Sequence, residues 1–248
     1  MSEVEKQTTV IKPVAKIKKA VKTTKKTIKK PVISVQEKKA RFKKILLPQI
    51  QAVYNELSIQ YDEIVIAINT NTQKERIQSL KKSYKAKTHE ELLMALKPHP
   101  ISVTLAQAAM ESSWGTSRFF REANNVFGVW SFNKKEPRIA ANSQRGTKTI
   151  WLKKYSNIKD SVRDYYKNMG RSFAFKEFRK ERLLSNDPLI LVTKLDRYSE
   201  KGALYGEALS SMITYNKFMQ YDEKEDLLLI ENTVTQNENF ITKEKIKS

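Results

Sequence analysis

Apolar residues recur at helical spacing from Phe42 through Ile45, Leu46, Ile50, Val53, Tyr54, Leu57, Tyr61 and Ile64 to Ile68. This pattern predicts a long amphipathic helix in a region whose character changes at Glu37. Pro48 lies inside it and is expected to kink the helix or mark its start. Residues 69–72 form a polar break. A second, strongly basic helix is expected over 74–87, with Ile77, Leu80 and Tyr84 on one face. Thr88, with Glu91 three residues later, reads as a capping box for HEELLMAL, and Pro98-His99-Pro100 ends that helix. Residues 101–113 form a compact helix. Leu105, Ala108, Ala109 and Ser112 give it a thin face that lets a neighbour approach closely, and Gly115 is its stop.

The chain then changes rhythm. A short helix over 116–122 leads into an Asn124-Asn125 turn. Residues 126–132 and 147–152 are the strand candidates, separated by a basic, polar loop, and suggest a small hairpin. Helices resume with IKDSVRDYYKNM, capped by Ser156 or Asn157 and ending at Gly170. Residues 173–184 follow, then LILVTKL behind an Asn186-Asp187-Pro188 start. After a Tyr-Ser-Glu-Lys-Gly turn, a last helix is expected over 204–219. The scarcity of Gly (6) together with plentiful Lys, Glu, Leu and Gln also favours helix over sheet.

Charge alters the picture at the ends. The net charge is +20, but residues 1–44 carry 15 Lys/Arg against three Glu, so +12 of it sits in the first sixth of the chain. Residues 1–36 are low in complexity and lack aromatics, and are expected to be a disordered basic tail. Such a tail suits polyanions, or it is simply a solvated linker. Residues 223–248 read as a second tail, leaving 37–222 as the folded part. There are no cysteines, which excludes disulfides and thiolate metal sites. No run of 18 apolar residues is present, so no transmembrane helix is expected, and no apolar core of a secretory signal is visible near the start. His89 and His99 have no second ligand at metal-binding spacing, so no metal or cofactor is expected. No nucleic-acid-binding motif stands out, so no nucleic-acid partner is expected. A monomer is the expected state.

The candidate chemistry lies in LAQAAMESSWGTSRFFREANNVFGVW, residues 105–130. Glycosidic hydrolysis needs a protonated carboxyl group near the leaving oxygen. Burial among aromatics disfavours the charged form of a Glu and suits it to that role. Glu111, close to Trp114, Phe119 and Phe127 and at the negative end of a helix, fits the requirement. The alternative is an ordinary helix-end carboxylate paired with Arg118 or Arg121. Trp114, Trp130, Trp151, Tyr155, Tyr198 and Tyr205 suit either a sugar-stacking cleft or a hydrophobic core.

AMESSWGTSRFFREANNVFGVW resembles the signature of the bacterial glucosaminidase family, in which Ala-x-Glu-Ser-x-Trp-Gly precedes an Asn-x-Phe-Gly corner. The Bax-type branch is the most similar. FKKILLPQI, ERIQSLKKSYK, YSNIKDSVRDYYKNM, FKEFRKERL and KLDRYSEKGALYGEAL resemble it in the same order, so the likeness covers about residues 38–218. The resemblance implies a lysozyme-like, mostly helical α+β domain, with a small β-hairpin beside the cleft and a catalytic core of about 98–220. It implies an endo-β-N-acetylglucosaminidase acting on peptidoglycan in the cell envelope, although members are sometimes named for mannosyl-glycoprotein. Carried over by position, Glu111 is the general acid and Tyr198 a cleft tyrosine that steers water or substrate. Trp114 braces the acid's helix, and Asn125, Phe127 and Gly128 shape the cleft, with Tyr205 as a further substrate-side aromatic. Many members have a second acid on the β element. Here ANSQRGTKTIWLKKY has none, and Glu136 is the only acid between Glu122 and Asp160. Three readings stay open: assistance by the substrate's N-acetyl group, a water oriented by Tyr198, or a wall-binding protein that turns over little glycan.

Deleting residues 1–36 is expected to abolish polyanion binding measured by co-sedimentation, and the binding of the full chain should weaken steeply with added salt. Affinity that survives the deletion would place the polyanion site in the folded domain.

Overall fold

The computed structural model describes residues 33–145, 148–198 and 202–222, with the side chains of 142–148 left aside. Residues 1–32 of the basic tail and the whole of 223–248 fall outside the described residues.

The fold begins with α1 (Val35–Asn69), a 35-residue helix. Ser34 starts it: its hydroxyl accepts from the Glu37 amide, and the Glu37 carboxylate accepts from the Ser34 amide. The helix therefore begins two residues before the change of composition at Glu37. Pro48 neither ends nor starts it, since α1 continues on both sides. Leu46 and Ile50, on either side of Pro48, are fully buried, and packing of that apolar face outweighs the local cost of the proline.

Three short helices follow: α2 (Lys74–Tyr84), α3 (His89–Leu96) and α4 (Ile101–Glu111). Thr88 caps α3 through the Glu91 amide, but Glu91 reaches back to the Lys87 amide rather than to Thr88, so the expected box is displaced by one residue. Helix α4 is the axis of the molecule. Every residue from Ile101 to Ala109 is buried, and α1, α8 (Pro188–Val192) and α9 (Ala203–Tyr215) all pack on it. Its first turn has no side-chain cap of its own. The Ser102 amide donates instead to Asp222, at the end of a 3-10 turn over Phe218–Tyr221 that also packs on α4.

Between these layers lie α5 (Arg118–Ala123), a hairpin of β1 (Arg138–Arg145) and β2 (Lys148–Lys153), α6 (Ile158–Arg171) and α7 (Lys176–Leu184). The strands are antiparallel, pairing Arg138 with Lys153 and Arg145 with Lys148, with an irregularity between Ala140 and Gln144. The first strand is thus 138–145, in the stretch expected to be a loop. The expected strand 126–132 is reduced to one bridge, Trp130 to Leu152, on the other edge of β2. The cause is local: Val126 and Phe127 turn into the core, and Gly128 has a φ of +66°, which breaks any ladder. The mostly helical class with a small hairpin is nonetheless what the chain forms. Among the described residues no helix is long and apolar enough to cross a membrane.

One large apolar cluster joins α1, α4, α6, α8 and α9, and a smaller one holds the far end of α1 against α2 and α3. Two glycines set close approaches. A Cβ on Gly170 would lie 2.5 Å from the Ala95 carbonyl oxygen, and one on Gly206 would lie 2.6 Å from that of Val192. Gly206→Ala is therefore expected to destabilise the domain by about 1–3 kcal/mol through overpacking, read as a lower urea midpoint. An unchanged midpoint would mean that α8 and α9 separate without cost.

Candidate active site

The carboxylate of Glu111 ends α4, half-buried. The chain then reverses through Ser113, Trp114 and Gly115, at φ of +51°, +61° and +74°. Two consecutive non-glycine residues in the left-handed region are strained, and Trp114 most of all, because of its bulk. Local bonds hold the turn. The Trp114 amide donates to the Ala109 carbonyl at 2.8 Å, the Gly115 amide donates to the Ser112 hydroxyl at 2.8 Å, and that hydroxyl donates to the Ala108 carbonyl at 2.6 Å. The indole closes the arrangement from outside. It sits 5.3 Å from Phe42 of α1 and 6.2 Å from Phe218, with the Lys39 ammonium 4.8 Å from its ring centre. Trp114 is thus set between the two ends of the described chain.

Glu111 is not paired in the way its sequence neighbours suggest. Arg118 reaches Glu122 at 3.3 Å and the Ala140 carbonyl, fastening α5 to β1. The carboxylate instead accepts from the Tyr205 hydroxyl at 2.9 Å. Tyr198 lies flat on Tyr205, with ring centres 5.2 Å apart and planes 12° apart, and Phe175 lies 5.6 Å from Tyr198. The two tyrosines expected at the site are therefore together, Tyr205 bonded to the acid and Tyr198 stacked over Tyr205. Burial, reinforced by Glu111, pushes the Tyr205 phenol far up. Burial, then Tyr205 and Glu111, does the same for Tyr198. Both remain protonated donors at any pH at which the domain works.

Asn125 is buried and fully committed. Its amide nitrogen donates to the Val129 and Lys153 carbonyls at 3.0 and 2.9 Å, and its oxygen accepts from the Val129 amide at 2.9 Å. It ties the corner to the end of β2. Phe127 is buried and stacks on Tyr165 of α6 at 4.0 Å. Space around Gly128 is open, so its positive φ, not crowding, selects glycine. Glu136, the acid nearest the hairpin in sequence, accepts from the Ser131 hydroxyl at 2.6 Å. Asp164 is occupied by Lys153 and Tyr155, at 2.8 and 2.7 Å. Exposed aromatic surface lies at Trp130 and Phe132, 41% and 85% exposed with rings 6.1 Å apart. Trp151, by contrast, is stacked under the Arg138 guanidinium.

Sequence reasoning missed what lies behind Glu111. Thr104, Gln107 and Glu111 share one face of α4, and Thr104 and Gln107 are fully buried. Gln107 bonds both Tyr205, at 3.1 Å, and Tyr165, and Tyr165 meets His99 at 2.9 Å. A signal was present: polar residues at i, i+3 and i+7 of an otherwise apolar helix.

The glucosaminidase family model, described as mannosyl-glycoprotein endo-beta-N-acetylglucosaminidase, matches residues 86–224. Protein bax of Escherichia coli strain K12 is 34% identical over 124 residues, 48% of this chain and 43% of that protein. The match thus spans less than half of the relative's length. Among solved structures, the catalytic domain of the autolysin Auto from Listeria monocytogenes is 22% identical, with a TM-score of 0.42, over 78% of this chain and 100% of that one. The glycoside hydrolase domain of FlgJ from Salmonella typhimurium is 22% identical, with a TM-score of 0.40, over 64% of this chain and 97% of that one.

Asn125→Ala is expected to cost about 1–3 kcal/mol by removing the bonds that Asn125 makes to the Val129 amide and the Lys153 carbonyl, and to speed hydrogen exchange at the Val129 amide. Exchange that stays slow would show that the corner is held by other bonds.

Proposed function

The chain belongs to the glucosaminidase family, and we propose that it hydrolyses the glycosidic bond following N-acetylglucosamine in peptidoglycan strands, with Glu111 as general acid. Membership of the family supports a glycosidase. The observation that carries the role of Glu111 is its place: a half-buried carboxylate at the end of a buried helix, bonded to a phenol and flanked by stacked tyrosines. Partial burial favours the protonated form that an acid catalyst needs. The bond from Tyr205 opposes this by favouring the anion.

The hairpin sequence offers no partner carboxylate, and Glu136 is bonded to Ser131. The hairpin therefore supplies no second member for a two-carboxylate mechanism. In our reading the N-acetyl oxygen of the substrate attacks the anomeric carbon as Glu111 protonates the leaving oxygen. Glu111 then takes a proton from the water that opens the resulting ring. Tyr198, an irregularly placed phenol over Tyr205, orients the substrate or that water. The exposed Trp130 and Phe132 provide an apolar surface against which a sugar face can stack. Such a substrate places the protein in the cell envelope.

Glu111→Gln is expected to lower the release of reducing sugars from purified sacculi roughly 10²–10⁴-fold with an unchanged melting temperature. Mass spectrometry should find N-acetylglucosamine at the reducing end of the products. Wild-type protein that sediments with sacculi but releases no soluble fragments would instead support a glycan-binding role, and anhydro products would indicate transglycosylation.

A further inference from the structure

Behind Glu111 a line of buried polar groups runs the length of α4, about 16 Å for its 11 residues. The Tyr205 hydroxyl gives its hydrogen to Glu111 Oε1, at 2.9 Å. The Tyr205 oxygen is then an acceptor, and the group facing it, 3.1 Å away, must be the amide nitrogen of Gln107. That fixes the Gln107 amide and leaves its oxygen to accept from the Tyr165 hydroxyl. Tyr165, having given its hydrogen, turns an oxygen lone pair to His99 Nε2 at 2.9 Å. The other neighbour of Nε2 is the Thr104 hydroxyl at 3.0 Å, which donates to Tyr166. Both neighbours of Nε2 are thus acceptors, so the neutral imidazole carries its hydrogen on Nε2. Desolvation, then the nearby Arg182, holds His99 well below the ordinary histidine range, and it stays neutral.

We propose that His99, Tyr165, Gln107 and Tyr205 are positioning residues for Glu111: a one-way chain of hydrogen bonds that commits its Oε1 as an acceptor. The inference rests on the acid role given to Glu111. The chain is oriented but does not conduct, because a carboxamide nitrogen neither takes up nor passes on a proton under these conditions. Each donor polarises the next, so removing a distant member weakens the last bond. Among the described residues, the phenols facing Glu111 are Tyr205 from α9, Tyr198 from the turn before it and Tyr165 from α6. Those facing His99 are Tyr165 and Tyr166 of α6 and Arg182 of α7. The phenols that face Glu111 are all pushed up by burial, so none of them titrates in the carboxylate range.

The test is a ¹³C NMR titration of the Glu111 carboxyl in the full chain, alongside the pH profile of sacculus hydrolysis. Tyr205→Phe is expected to raise the Glu111 pKa by roughly one to two units. Tyr165→Phe, which does not touch the carboxylate, should raise it by less, and the corresponding limb of the rate profile should move with it. His99→Gln, which keeps an N–H near Nε2, should retain the wild-type titration, and His99→Leu should shift it upward. A folded Tyr165→Phe or His99→Leu protein with an unmoved Glu111 titration overturns the proposal, even if its melting temperature falls. Shifted titrations in a protein whose wild type releases no sugar would leave the chain standing and defeat the glycosidase reading.

Discussion

A polar side chain on a helix buried on every side needs a partner inside the protein or carries a cost, because leaving a buried polar group unpaired costs more than a typical hydrogen bond contributes. On α4 the Ser102 hydroxyl carries that cost, and the polar stripe of Thr104 and Gln107 does not. Helix α4 meets this constraint along one stripe. Thr104 and Gln107 are fully enclosed, and the groups that satisfy them come from α6, α9 and the Pro98-His99-Pro100 segment. Those elements are therefore held in place by polar as well as apolar contact. The same requirement explains why Gly206 follows Tyr205. Only a residue without a Cβ lets α9 approach Val192 closely, and the phenol one position earlier then reaches the end of α4.

Strain and support are distributed in a similar way around the reversal after Glu111. Three successive positive φ values are unfavourable for Ser113 and Trp114. Three local hydrogen bonds and an indole packed between Phe42 and Phe218 offset that cost. The carboxylate is consequently presented from a rigid helix end rather than from a pliable loop. The hairpin is fixed independently, by Asn125 to the end of β2 and by Arg118 to Ala140.

Much of this was legible in the sequence, and the exceptions share a cause. Helix starts at Thr88, Asn157 and Asp187 follow from bonds spanning two or three residues, and the chain honours them. Glu111, Trp114 and the Asn125 corner stand out because they fall in one short run of sequence, although the groups that hold them, Tyr205, Phe42 with Phe218, and Lys153, come from distant parts of the chain. The placing of β1 was not legible, because 138–145 is polar and gains its order from pairing with β2 and from Arg118 rather than from its own pattern. Pro48 does not mark a helix start, because tertiary burial of Leu46 and Ile50 carries the helix on both sides of it. The partners of Gln107 lie 58 and 98 residues away. A polar stripe on α4 announces that partners must exist, but no local pattern says which tyrosines they are.

The contacts of the last described turn have a bearing on synthesis. Phe218 covers Trp114, and Asp222 completes the first turn of α4 through Ser102. Both ends of the helix that carries Glu111 thus wait for residues made more than a hundred positions later. Chains fold from the N-terminus as they emerge, yet here a nascent chain shorter than about 222 residues holds its acid on a helix with one end uncapped and its indole half uncovered. The site matures late, when nearly all of the domain has left the ribosome.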